Sequence, residues 1–147
     1  MKKTTLLFLC TGNSCRSQMA EGWAKALKRE SFDVYSAGIE THGLNPNAVK
    51  VMAEVGVDIS SQTSDNIEEY ANREIDHVVT VCHHAHENCP VFPAKAEIHH
   101  TGFEDPPKQA KDLADRGASE EEQLDCYRKV RDDIRSYVEG LPENWSL

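Results

Sequence analysis

The sequence predicts an α/β domain, a three-layer sandwich on a four-stranded parallel sheet, and three observations carry that prediction. Short apolar, β-branched runs alternate with stretches of helical spacing along the chain. Strands separated by helices need crossover connections, which give parallel pairing with helices covering both faces. No repeat, low-complexity tract or long linker breaks the 147 residues, so one domain over 1–147 is expected, large enough for a core.

Each element has its own signal. Thr4–Leu9 is a short apolar run and reads as the first strand. Ser17–Arg29 has helical spacing, with Met19, Trp23, Ala26 and Leu27 near one face. Phe32–Ala37 reads as a second strand ended by Gly38. Asn45 followed by Pro46 is an N-cap with proline at the first helical position, opening a helix through Glu54 that Gly56 closes. Ile67–Asn72 reads as a short helix, and His77–Cys82 (H-V-V-T-V-C) as a third strand. Ala96–His100 is the fourth strand, and Gly102–Arg116 reads as loop plus a short helix. Ser119, with Glu121 and Glu122 behind it, starts a long helix to about Glu139, stopped by Gly140 and Pro142. In such sheets, sites lie beyond the C-terminal strand ends, where both Cys10 and Cys82 fall.

Composition bounds the function. A net charge of −9 argues against general affinity for nucleic acid or anionic membrane, while leaving room for a locally positive pocket. The apolar run before Cys10 is only four residues, too short for a signal-peptide core, and nothing approaches the ~20 apolar residues of a membrane span. The expectation is a cytoplasmic protein with no membrane or nucleic-acid partner, and nothing demands more than a monomer. Five cysteines without an export signal point to reduced thiols, most of them packing.

The chemistry concentrates in L-C-T-G-N-S-C-R-S. Cys10 and Arg16 stand in a C-x5-R spacing between a strand and a helix. A loop there offers successive backbone N–H groups, from Thr11, Gly12, Asn13, Ser14, Cys15, Arg16 and Ser17, as a nest for a tetrahedral oxyanion. Gly12 permits a φ that side chains resist, and Asn13 tolerates the left-handed region. Arg16 supplies a planar fork for bidentate capture of the anion. The same donors favour Cys10 as thiolate, with a hydroxyl hydrogen bond from Ser17, arranged for in-line attack on the central atom. A Walker A loop is excluded, because its second glycine and lysine are missing. A C-x4-C zinc half-site is weaker, since its partners would have to come from 82–89 and Arg16 would oppose a cation. Cys15 reads as packing or loop support, and Cys126 as a packing thiol. The loop alone leaves the identity of the tetrahedral oxyanion undecided.

The loop C-T-G-N-S-C-R-S resembles the phosphate loop of the low-molecular-weight protein tyrosine phosphatase superfamily. Those enzymes pair it with a general-acid aspartate in an Asp-Pro motif, which Asp105-Pro106 fits. The plain alternative is that Asp-Pro initiates a turn. A second cysteine pair, Cys82 and Cys89 in V-C-H-H-A-H-E-N-C-P, is more than a phosphatase needs. If that segment is helical, seven residues separate the thiols by ~10 Å of rise, beyond the ~7 Å limit for a disulfide. Joining them then requires unwinding, so such a bond would be conditional and redox-linked.

Over essentially its whole length the chain resembles the thioredoxin-coupled arsenate reductases on this fold. The segments that carry this are C-T-G-N-S-C-R-S-Q-M-A-E-G, S-A-G-I-E-T-H-G-L-N-P, V-D-I-S-S-Q-T-S-D, V-T-V-C-x6-C-P and D-P-P. The resemblance implies arsenic detoxification with arsenate as substrate, thioredoxin as electron donor and a relay through Cys10, Cys82 and Cys89, with Asp105 as proton donor. The relay ends in a Cys82–Cys89 disulfide that thioredoxin reduces. It implies no organic cofactor. For some members it implies a potassium site, whose positions Asn13, Glu21, Ser36, Thr63 and Asp65 match here. Oxygen donors suit such a hard cation; the alternative makes Glu21 and Asp65 solvated or capping residues. His83, His84 and His86 exceed what a relay requires. They read as polar surface residues; a sharper reading has one of them, protonated, keeping Cys82 or Cys89 as thiolate. A metal clip of Cys82, Cys89 and a histidine would block the relay. The rival function is a protein tyrosine phosphatase working through a phosphocysteine at Cys10, though Pro107 stands where an aromatic would grip phosphotyrosine. Weak phosphatase activity could persist through the shared loop.

Overall fold

The structure, a computed structural model, describes residues 3–70, 72–82 and 96–146. Its four strands are β1 (Thr4–Cys10), β2 (Phe32–Gly38), β3 (His77–Thr80) and β4 (Glu97–His100), all parallel in the order β2-β1-β3-β4. The described helices are α1 (Arg16–Leu27), α2 (Pro46–Glu54), α3 (Pro106–Asp115) and α4 (Glu120–Glu139), with 3-10 turns at Ile67–Tyr70 and Glu143–Ser146. The predicted class and sheet are therefore those the chain forms.

β1 is central, and Leu6, Leu7, Phe8 and Leu9 are all fully buried. Successive strand residues face opposite ways, so burial without alternation means that both faces are covered. One of those covers includes α1, which packs on β1, β2 and α4. α4 contributes Leu124, Tyr127, Val130, Ile134 and Val138 to the core.

The local signals explain the helix boundaries. The Asn45 side chain accepts from the amides of Asn47 and Ala48, with Pro46 at the first position of α2. At α4, Ser119 and Glu122 close a reciprocal capping box. Gly56, at φ 81°, closes α2 in the left-handed region.

Four expectations shift. β3 ends at Thr80 rather than Cys82, because its edge partner β4 ends at His100, opposite Thr80. The 67–72 helix is a 3-10 turn ending at Tyr70. The helix expected to be short within 102–116 runs ten residues, with Asp105 as its N-cap. Ala26 and Leu27 are exposed, because the buried stretch of α1 ends at Ala24.

Candidate active site

β1 delivers Cys10 at its C-terminal end, α1 begins at Arg16, and the loop between them encloses a cavity of about 290 Å³. Cys10, Thr11, Gly12, Ser14, Cys15 and Arg16 line it, with His42, Asn45, Asp105 and Pro107 completing the wall. The loop owes its shape to the segment after β2. The carbonyls of Cys10, Thr11, Gly12 and Ser14 accept from the amides of Ile39, Glu40, His42 and Asn45, at 2.8–3.1 Å. With these carbonyls engaged by the segment after β2, the loop's amides are the groups left to meet an anion. Among the described residues, no amide from Gly12 to Cys15 donates to a backbone carbonyl. The positive end of α1 adds to that field.

The positive φ sits at Asn13, at 47°, and not at Gly12. Gly12 is required for space: a Cβ there would lie 2.3 Å from His42 Nδ1. Gly38 is less forgiving, since its Cβ would meet backbone, the Glu40 carbonyl oxygen at 2.4 Å and the Asn13 nitrogen at 2.6 Å, rather than a side chain. The sequence reading took Gly38 only as a strand stop.

Asn13 and Ser17, grouped with the anion binders from the sequence, lie fully buried behind the lining. Their hydrogen bonds have a defined direction. The Asp65 amide can only donate, so the Asn13 atom it meets at 2.7 Å is Oδ1. Asn13 Nδ2 then donates to Ser17 Oγ and to Ser36 Oγ, each at 2.9 Å. Ser17 in turn has its hydroxyl hydrogen left for Cys10 Sγ, 2.9 Å away. Ser36 passes its own to Glu21 Oε1. Gln18 extends the brace, donating to the carbonyls of Asn13 and Thr63 at 2.9 Å, with Gln62 bonded to it in turn. Neither glutamine carries a signal of this role in the sequence.

Arg16 donates to the Phe103 carbonyl at 3.1 Å and lies 3.8 Å from Asp105 Oδ2. Asp105 caps α3 through its backbone geometry only; its carboxylate makes no capping bond and stays at the cavity wall. The Cys82 thiol, buried, meets Thr11 Oγ1 at 3.2 Å, which places a second sulfur against the loop. Burial, reinforced by the charge on Cys10, pushes the Cys15 thiol far above its ordinary range, so it is inert at neutral pH. Cys126 is half-buried on α4 beside the α3–α4 cleft. Cys89, His83, His84 and His86 lie outside the described residues.

The five residues matched to a potassium site do cluster. Glu21 is buried and receives Ser36 on one oxygen, while Lys25 pairs with the other. Thr63 Oγ1 donates to both Asp65 carboxylate oxygens at 3.1 Å. Tyr70 also bonds Asp65, and burial together with that carboxylate raises its hydroxyl to about 12. This oxygen-rich set fits a hard cation, with one qualification: the Lys25 ammonium already neutralises Glu21.

Comparison with known proteins adds relatives. The family described as Low molecular weight phosphotyrosine protein phosphatase matches residues 5–145. An arsenate reductase of Halalkalibacterium halodurans is 50% identical over 143 residues, 97% of this chain and 98% of that protein. A solved arsenate reductase in its oxidized state shares 36% identity, with TM-score 0.75, over 96% of this chain and 98% of that one. The low molecular weight protein tyrosine phosphatase of T. tengcongensis shares 25% identity, with TM-score 0.73, over 97% and 99%. Among the described residues no helix is long and apolar enough to cross a membrane.

Proposed function

From the chain's membership of the low molecular weight phosphotyrosine protein phosphatase family, we propose that it is an arsenate reductase working through a Cys10–Cys82–Cys89 relay fed by thioredoxin. The observation that carries this reading is the Cys82 thiol held 3.2 Å from the loop residue Thr11. Hydrolysis of a phosphate ester has no use for that sulfur; reduction of an oxyanion does.

Arsenate enters the amide nest and takes the Arg16 fork. The Cys10 thiolate, held by the Ser17 hydroxyl, attacks arsenic(V) and displaces one oxygen, with Asp105 supplying the proton that lets it leave as water. Cys82 attacks Cys10 Sγ, and the S–As electron pair stays on arsenic, which departs as arsenite. Cys89 then attacks Cys82, frees Cys10 as thiolate and leaves a Cys82–Cys89 disulfide for thioredoxin. Each turnover consumes one arsenate and two thiols, and returns arsenite, a disulfide and water.

The wall favours a small inorganic oxyanion over an aryl phosphate, because Pro107 stands beside the Asp105-Pro106 pair where a phosphotyrosine ring would need an aromatic face. Phosphatase chemistry through a phosphocysteine at Cys10 remains as a weak side activity of the shared loop. A potassium ion beside the loop would be held by Asn13, Glu21, Ser36, Thr63 and Asp65, and would supply positive charge behind the anion. Lys25→Met should then make activity more dependent on potassium.

The test is arsenate-dependent NADPH consumption with thioredoxin and thioredoxin reductase. The wild type, run as a monomer in the reduced state, should turn over many times; Cys10→Ser, Cys82→Ser and Cys89→Ser should each abolish multiple turnover. Normal turnover by Cys89→Ser would overturn the relay.

A further inference from the structure

At the other end of the sheet, His77 opens β3 while Glu97 and His99 lie on β4. Register places Glu97 opposite His77 and His99 two positions further along, so all three share one face. His77 Nδ1 and His99 Nε2 are 3.1 Å apart, and Glu97 Oε2 lies 3.6 Å from the first and 3.8 Å from the second. A circle through three points spaced 3.1, 3.6 and 3.8 Å has a radius of about 2.0 Å (the product of the edges over four times the area). That radius equals the zinc–imidazole and zinc–carboxylate bond lengths of about 2.0–2.2 Å.

From this geometry we propose that His77, Glu97 and His99 form a binding site for a divalent transition cation of the zinc class. The three side chains are the donor set this class prefers: two imidazoles and one carboxylate, with remaining positions open to water. Glu97 is the exposed member and gives the ion its way in, while both histidines are about four-fifths shielded, at 19% and 18% exposure. The Trp145 indole stacks on the His99 ring at 4.1 Å and on the His77 ring at 4.4 Å, fixing both planes. Burial, and then the neighbouring His77, hold His99 below its ordinary range, so it is neutral and able to ligate at pH 7. The hydrogen shared along the 3.1 Å contact moves to an outer ring nitrogen, leaving both inner nitrogens as donors.

The site is separate from the reaction centre. Leu6 of β1 pairs with His77, and Cys10 lies four residues further on, about 13 Å along the strand. An ion here would clip the edge strand β4 to β3 beneath Trp145, and would act on stability.

The experiment is equilibrium dialysis of the EDTA-stripped protein against Zn²⁺ or Co²⁺, with the relay thiols removed as Cys10→Ser/Cys82→Ser/Cys89→Ser. That variant should still bind one equivalent at micromolar metal, with a cobalt spectrum free of thiolate charge transfer and a raised melting temperature. His99→Gln and His77→Gln should each weaken binding more than about tenfold. Trp145 emission should be quenched by Co²⁺, and the quench should vanish in Trp145→Phe. If His99→Gln compromises folding, Glu97→Gln, at an exposed position, should still give the tenfold loss. Three results would each overturn the site: unchanged affinity in both Glu97→Gln and His77→Gln, loss of the equivalent in a His83/His84/His86→Gln variant that keeps these three residues, or binding only at millimolar metal.

Discussion

Asn13→Ala isolates the buried brace behind the loop. Two costs can be worked from the structure. Asn13 sits at φ 47°, where a residue with Cβ other than asparagine or aspartate loses about 1 kcal/mol. Its Oδ1 is the acceptor for the Asp65 amide, and orphaning that donor costs about 2 kcal/mol. Ser17 and Ser36 each keep another partner, so they add little. The sum is about 3 kcal/mol, or a fall of about 10 °C in melting temperature for a chain of this size. Asn13→Gly removes the same hydrogen bonds but relieves the φ cost, so it should recover about 1 kcal/mol of that loss. Both variants should slow the first chemical step by about tenfold, because the Ser17 hydroxyl loses the donor that aims it at Cys10. Urea titrations give the stabilities, and rapid-quench trapping of the Cys10–arsenic adduct in a Cys82→Ser background gives the rate. Equal destabilisation in the alanine and glycine variants would refute the backbone argument; loss below about 0.5 kcal/mol in both would refute the brace.

Three further outcomes are expected. Gly38→Ala should weaken phosphate and arsenate binding more than about tenfold while far-UV dichroism stays native, because its Cβ meets backbone that cannot swing away; isothermal titration measures it. Cys15→Ser and Cys126→Ser should leave coupled turnover largely intact, with Cys15 lacking any thiolate to lose at neutral pH. The lowered pKa of His99 makes its stabilising contribution complete above the unfolded histidine value of about 6.5, and it fades as pH falls through the lower folded value. The melting temperature of His99→Gln should therefore vary less between pH 7 and pH 5 than that of the wild type.

What the sequence made legible was whatever is decided locally. The Asn45-Pro46 and Ser119–Glu122 caps are short-range hydrogen-bond patterns, and both helices start where those residues stand. The strand-loop-helix around Cys10 was readable for the same reason. Features settled by a distant partner were not. β3 stops at Thr80, opposite the last residue of β4, and that partner, His100, lies 20 residues downstream. Gly12 and Asn13 both read as residues suited to the left-handed region; the positive φ and the buried hydrogen bonds fall to Asn13, and the His42 ring explains Gly12. Gln18 and Gln62 carry no signal in the sequence, because the fold brings them together across 44 residues. The histidine–glutamate triangle is likewise a product of strand register, invisible to any spacing rule.

The engaged carbonyls of the loop have a consequence for anyone wishing to move this site. The stretch Cys10–Ser17 does not contain the instructions for its own shape; half of them are written in the amides of Ile39, Glu40, His42 and Asn45. Grafted alone onto another strand-helix junction, the same residues would be free to turn a peptide and close the nest. A functional transplant must carry both segments, together with the glycine at 38 that lets them touch.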